Sequence, residues 1–214
     1  MSATAVDLDE AEAYLRSSDP VMRTIIDDVG GVGALPDRRM ARPEDHYGSL
    51  IRSIVGQQVS TASARAIFGR LTDRFGGRPP TPQEVLAEDP DELRTAVGLS
   101  HAKTTYLRSL AEHVVEGSLE LDRLDGLPDD DVIAELVAVK GIGLWSAQVF
   151  LMFHLERPDV IAVGDLGIRK AVMQRYGLPA LPAAPELVAI SQPWRPYRTL
   201  ACRFLWASLR ATPA

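Results

Sequence analysis

The tetrapeptide Lys140-Gly-Ile-Gly143 constrains this chain more than any other feature. Before it, Val132, Ile133, Leu136 and Val137 recur at helical spacing; directly after it, the almost wholly apolar stretch from Leu144 to Phe153 reads as a second helix. The pattern is helix, tight hairpin, helix. Two glycines flanking one apolar residue let the backbone reach positive φ, and their missing side chains admit another backbone at close range. The first amides of the following helix have no partner within it and carry partial positive charge, so a phosphate can sit on them. The partner this suits is a nucleic-acid backbone, although a Gly-x-Gly taken alone is more often a plain connector between packed helices. Asp129, Asp130 and Asp131 fall where the first hairpin helix begins, and carboxylates there suit the helix dipole.

The remaining pattern is helical as well. Residues from Asp9 to Ser17 predict a short helix, and a second follows Pro20 with Met22, Ile25 and Ile26 inward. Gly30-Gly-Val-Gly33 ends it and opens a loop carrying Arg38, Arg39 and Arg42, read as a solvated connector. Tyr47, Leu50, Ile51, Ile54 and Val55 follow the i, i+3, i+4 rule of an amphipathic helix. That helix ends at Gly56-Gln57-Gln58-Val59, and Ser60-Thr61 caps the next, with Ile67, Phe68, Leu71 and Phe75 on its inner face. Pro82 to Leu93 predicts one or two short helices. A helix after Gly98-Leu-Ser-His-Ala-Lys103 sets Leu107, Leu110, Ala111, Val114 and Val115 on one face, with Lys103 and Arg108 as ordinary solvated cations. No segment is dominated by the alternation a strand needs, so the fold class is all-α.

Charge is unevenly spread. The formal net charge is −6, yet residues 1 to 139 carry 14 Lys and Arg against 25 Asp and Glu, while residues 140 to 214 carry 9 against 4. The basic surplus begins at the hairpin, which suits a nucleic-acid face on an otherwise acidic protein. The single cysteine, Cys202, excludes an internal disulfide and a cluster held by four cysteines, and its apolar surroundings mark it as a small buried hydrophobe. Mean hydropathy of −0.03 describes a soluble globular chain. No apolar run approaches the roughly 18 residues of a membrane span, and the start lacks a signal-peptide pattern, so the expected compartment is the cytoplasm.

Beyond the hairpin, Gly164-Asp165 follows the apolar run Val160 to Val163 and precedes a further helical pattern at Ile168, Ala171 and Val172. This stretch resembles the helix-hairpin-helix motif and Gly-Pro-Asp-type loop of the base-excision DNA glycosylases, the HhH-GPD superfamily. Within it the resemblance is to the alkylation-repair branch, 3-methyladenine DNA glycosylase II of the AlkA type. Ser53-Ile-Val-Gly-Gln-Gln-Val-Ser60 resembles that branch's helix end and loop, and Trp194-Arg-Pro-Tyr-Arg198 through Trp206 resembles its C-terminal helix; together the matches span residues 43 to 210.

The resemblance implies a single HhH-GPD unit over residues 1 to 214, two-lobed with the active-site cleft between lobes. One lobe comes from the middle of the chain, about residues 55–160, and contains the hairpin, 132–150; the other combines the N-terminal and C-terminal parts, with no separate N-terminal β-rich domain. It implies a monofunctional enzyme that flips alkylated purines of the 3-methyladenine and 7-methylguanine class from duplex DNA and hydrolyses the N-glycosidic bond, initiating base excision repair. Asp165 matches the catalytic carboxylate, although an aspartate after glycine at a helix start is also an ordinary N-cap. Trp145 stands where bifunctional relatives carry a lysine, so water is the expected nucleophile. Trp145, Val149 and Trp206 match the substrate pocket, with Trp206 offering a π-face to a cationic base and Val149 standing where relatives often have another aromatic; core packing is the alternative for both tryptophans. Lys140, Gly141, Ile142 and Gly143 match the DNA-binding hairpin, with Lys140 in place of a common proline. Gln58 matches the plug that fills the gap left by the flipped nucleotide, in place of the apolar residue many relatives use; it serves equally as a helix-terminal residue satisfying local backbone. The main-chain carbonyls of Val137, Val139 and Gly141 match those that hold a monovalent cation, Na+ or K+, in relatives. Arg198 matches the family's Trp-x-Pro-x-Arg pattern, where it braces the pocket or contacts DNA, and the glycine-led turn before Lys103 and Arg108 resembles one that relatives set beside DNA, which makes these two candidate phosphate ligands as well as ordinary solvated cations. No cofactor is expected, nor an iron–sulfur cluster; the expected partner is duplex DNA with alkylated bases, met by a monomer without a membrane. The alternatives are a glycosylase for oxidised or mismatched bases and a non-catalytic helix-hairpin-helix DNA-binding module.

Overall fold

A computed structural model describes residues 6–36 and 45–211. Arg38, Arg39 and Arg42 lie outside the described residues. In chain order the α-helices are α1 (Leu8–Ser18), α2 (Pro20–Val29), α3 (His46–Gly56), α4 (Thr61–Arg74), α5 (Pro82–Ala87), α6 (Pro90–Val97), α7 (His101–Val115), α8 (Asp129–Ala138), α9 (Leu144–Phe153), α10 (Leu166–Arg175), α11 (Ala184–Ile190) and α12 (Arg198–Ala211). Among the described residues there is no strand, as an all-α chain requires, and no helix long and apolar enough to cross a membrane.

The chain divides into two compact units, Met1–Arg38 with Leu151–Ala214, and Arg39–Phe150. The middle unit thus includes all of α3, which packs on α4 and α7, and stops within α9, rather than running from about 55 to 160.

The first unit packs α12 on α2 and α10, with α1 against α2. Leu15, Met22, Ile25, Ile26, Ile168, Val172, Trp194 and Phe204 are buried in it. Its polar centre is Asp19, which is itself buried. Oδ1 caps α2 by accepting from the Val21 and Met22 amides at 2.8 and 3.1 Å. Oδ2 accepts from the Tyr176 hydroxyl at 2.5 Å and the Trp194 indole N–H at 2.9 Å. Burial first, and then the Asp19 hydrogen bond, push the Tyr176 phenol well above its ordinary value, so it remains a donor. Cys202 is buried, and burial pushes its thiol up to about 12, in keeping with a small hydrophobe.

In the middle unit nearly every helix start is closed by a side chain. Ser60, Asp89 and Ser100 cap α4, α6 and α7, and Thr81 with Glu84 forms a reciprocal capping box on α5. The core runs through Leu50, Ile51, Ile54, Leu71, Val85, Leu93, Val97, Leu107, Leu110, Val132 and Leu136. Of the residues expected to point inward from α4, only Leu71 is fully buried; Phe68 instead carries the Arg52 guanidinium 5.4 Å above its ring. Val115, at the last turn of α7, is exposed rather than inward. The two candidate phosphate ligands on α7 both donate to main-chain carbonyls. Lys103 is buried and its ammonium donates to the Val55 carbonyl at 2.7 Å, while Arg108 Nη1 donates to the carbonyls of Val85, Leu86 and Glu88, closing the end of α5.

Replacing Asp19 with alanine strands a buried indole N–H and a phenol O–H. The expected loss is roughly 3 kcal/mol of unfolding free energy, read as a lower urea midpoint at unchanged slope.

Candidate active site and nucleic-acid interface

Asp165 sits at the N-cap of α10 in extended conformation, φ −72° and ψ 119°. Its Oδ1 accepts from the Ile168 amide at 2.7 Å and from the Trp206 indole Nε1–H at 2.9 Å. The two donors converge on one oxygen and hold the carboxylate in one orientation. Asp165 is therefore an N-cap, and that bond does not exclude a chemical role for the same carboxylate. The segment leading to it is braced from α12. Arg198 Nε and Arg195 Nε donate to the Asp159 carboxylate at 2.6 and 2.9 Å, Arg198 Nη2 donates to the Asp159 carbonyl, and Thr199 accepts from the Val160 amide while donating to the Arg157 carbonyl. Arg198 thus holds backbone at the start of the Val160 to Val163 run.

Trp206 is half-buried on α12, and its ring lies 5.7 Å from that of Phe153, tilted by 31°. Its first attachment is to Asp165, a contact that spacing alone gives no hint of. Gly167 makes this possible: a Cβ there would lie 3.0 Å from Asp165 Oδ1 and 3.2 Å from Trp206 Cδ1.

In the other unit the hairpin matches its expected outline, and its packing adds what the sequence did not carry. Gly141 has φ 93°, and a Cβ on it would stand 2.1 Å from Cγ of Tyr106, so the α7 ring lies directly on the glycine. The Ile142 amide donates to the Val139 carbonyl at 3.0 Å, and Ile142 is buried as the hairpin's apolar anchor. The Ala147 amide donates to the Gly143 carbonyl, so α9 begins at once. Lys140 is exposed; its amide donates to Ser109 Oγ, and its side chain lines an open groove with Arg94, His101 and Thr105.

The start of α9 is inside out. Leu144 and Trp145 are 46% and 44% exposed, whereas Ser146 and Gln148 are only 6% and 7% exposed. With Val137, also exposed, they leave apolar surface around the hairpin, the mark of a surface that binds something. Trp145 is therefore not a core tryptophan, and Val149, one turn on, is half-buried.

Gln58 has φ 55°, a left-handed conformation that costs a non-glycine residue about 1 kcal/mol. It stands exposed at the end of α3 beside exposed Val59. The cross-chain contact belongs to its neighbour, for which the sequence pattern carries no signal beyond the adjacent pair of glutamines. Gln57 Nε2 donates to the Gly141 carbonyl at 2.8 Å, tying the α3 terminus to the hairpin. That bond also bears on a hairpin cation. The Val139 and Gly141 carbonyls each accept one N–H donor, which leaves each oxygen a second lone pair with which to ligate a monovalent cation.

Residues 51–196 match the model of the HhH-GPD superfamily of base excision DNA repair proteins. DNA-3-methyladenine glycosylase 1 of Schizosaccharomyces pombe is 33% identical over 93% of this chain and 86% of its own length. A solved structure of the 3-methyladenine DNA glycosylase from that yeast, in complex with abasic DNA, superposes with a TM-score of 0.83 at 31% identity, covering 96% of this chain and all of that one. A DNA-3-methyladenine glycosidase from Bacillus halodurans gives a TM-score of 0.76 at 36% identity over 91% of this chain and 87% of that one.

The contacts around Gly167 carry a prediction of their own. Gly167→Ala adds a methyl group at a helical position, where alanine is favoured by up to about 1 kcal/mol, so thermal stability should hold. The Asp165–Trp206 bond should nonetheless lengthen or break, which a crystal structure of the variant would show directly.

Proposed function

Since the chain belongs to the HhH-GPD superfamily of base excision DNA repair proteins, we propose that it is a monofunctional DNA glycosylase of the 3-methyladenine type. It removes alkylated purines from duplex DNA by hydrolysis and leaves an abasic site. The observation that carries this reading is the Asp165 carboxylate, fixed through one oxygen by the α10 amide and the Trp206 indole.

Breaking an N-glycosidic bond sends the bonding electron pair to the base and leaves positive charge on the sugar around C1′. A fixed carboxylate beside C1′ stabilises that charge and orients the water whose oxygen adds there. A purine methylated at N3 or N7 already carries positive charge and departs as a neutral base, so it needs no general acid. One carboxylate suffices. At the hairpin, Trp145 has no amine to attack C1′, so no Schiff base forms and the strand stays intact. Its exposed indole beside Gly143 belongs to the substrate pocket with Val149. Trp206 holds Asp165 and presents its ring to a cationic base.

Gly141 and Gly143 present backbone amides to a DNA phosphate, with Ile142 anchoring the turn between them through its bond to Val139 and Lys140 adding charge. Gln58, held left-handed at an exposed helix end, fills the space of the flipped nucleotide and meets the orphaned base with its amide. No cofactor is required. A structural Na+ or K+ would be held by the main-chain carbonyls of Val137, Val139 and Gly141, using on the last two the lone pairs that the Ile142 and Gln57 donors leave. One cysteine does not supply the four thiolates of an iron–sulfur cluster, so none belongs to this reading. The enzyme acts as a monomer wherever the DNA is, which in a bacterium is the nucleoid of the cytoplasm.

The test is release of free base from methylated duplex DNA. The natural protein should release 3-methyladenine with no borohydride-trapped adduct. Asp165→Asn should lose at least about a hundredfold in rate, the scale of removing one preorganised electrostatic group. Unchanged release by that variant removes Asp165 from its role.

A further inference from the structure

The turn after α3 and the hairpin are separated by more than eighty residues of chain, yet a single side chain joins them. Gln57 is the first residue beyond α3, and its Nε2 reaches the Gly141 carbonyl at 2.8 Å, with Ser146 Oγ at the margin of contact at 3.5 Å. The Gly141 peptide cannot easily move away, since the Tyr106 ring covers its Cα. Nor can the α3 terminus, since the buried Lys103 ammonium holds the Val55 carbonyl. Lys103, Tyr106 and Ser109 follow one another at three-residue spacing, so one face of α7 grips the α3 end, Gly141 and the Lys140 amide in turn. Between these fixed points lies Gln58, in a backbone conformation that persists only where its surroundings impose it.

From this we propose that Gln57 is a positioning residue: by tying the turn to the Gly141 carbonyl it sets Gln58 at the height and orientation required for insertion once the hairpin has taken its phosphate. Gln57 itself touches no substrate. Its side chain faces the hairpin backbone, and its effect on lesion recognition runs through Gln58. The proposal rests on the reading of Gln58 as the plug.

The experiment is a double-mutant cycle on the full chain with Gln57→Met, which keeps length and bulk but cannot donate, and Gln58→Ala. Two affinities are measured at one salt concentration: for duplex containing an abasic-site analogue, and for the same duplex intact. Their ratio is the recognition readout, and 2-aminopurine opposite the abasic site reports insertion. Each single variant should lower the ratio by about tenfold and remove the fluorescence change, while affinity for intact duplex, which depends on the hairpin amides, stays within about twofold. The double variant should lose about tenfold, not a hundredfold, because a residue acting through Gln58 has nothing left to act on. A multiplicative loss, or a loss for Gln58→Ala with none for Gln57→Met, overturns the role given to Gln57 and leaves the plug standing. No loss for Gln58→Ala removes the plug and this inference with it. A fall in affinity for intact duplex equal to that for abasic duplex makes Gln57 a support of the hairpin alone, and also overturns it.

Discussion

Four donors converge on the buried carboxylate of Asp19, and the packing of its unit depends on that convergence. Two are the first amides of α2, which orient the helix; the others come from Tyr176 and Trp194, which lie far along the chain. A carboxylate taken out of water is costly unless it is fully hydrogen-bonded. Once it is, every donor is held to a narrow range of positions. Trp194 then fixes the turn before α12, and α12 carries Trp206 to Asp165. The candidate catalytic carboxylate is thus held by a chain of paired polar groups that begins at another one.

The middle unit uses a cation for the same end. Lys103 is buried with its ammonium on a main-chain carbonyl at the end of α3, where the helix dipole favours positive charge. Burial lowers its pKa. A lysine used in this way has its ammonium spent inside the fold, whereas Arg108, with Nη1 on three carbonyls at the end of α5, still lines the open groove with Lys140. Lys140 and Arg94 line the same groove. The chain carries a formal charge of −6, so the cations that line this groove are a local exception to an acidic whole.

The two glycines with strict steric roles do opposite things. Gly141 is bare so that Tyr106 can lie on it and lock the hairpin, while Gly167 is bare so that Trp206 can reach Asp165. In both cases the missing methyl group is filled by an aromatic ring from a distant helix. Rigidity at the hairpin and orientation at the carboxylate come from packing across helices, not from the local sequence.

The all-α class, the places where helices start and the inward faces of α2 and α3 were set by local features: helical spacing, caps and glycines act over a few residues and are written in order along the chain. The hairpin's Gly-x-Gly and the Asp165 N-cap were legible for the same reason, and the resemblance gave them their chemical roles. What only tertiary structure decided were the pairings between distant residues. Whether Lys103 meets solvent or the Val55 carbonyl, whether Val137 and Val115 face in or out, and that Trp206 bonds Asp165 all depend on helices brought together by a shared core. Gln57 shows the limit most clearly: in sequence it is a polar residue at a helix end like its neighbour Gln58, and only the position of Gly141 makes one of them a tie and leaves the other exposed.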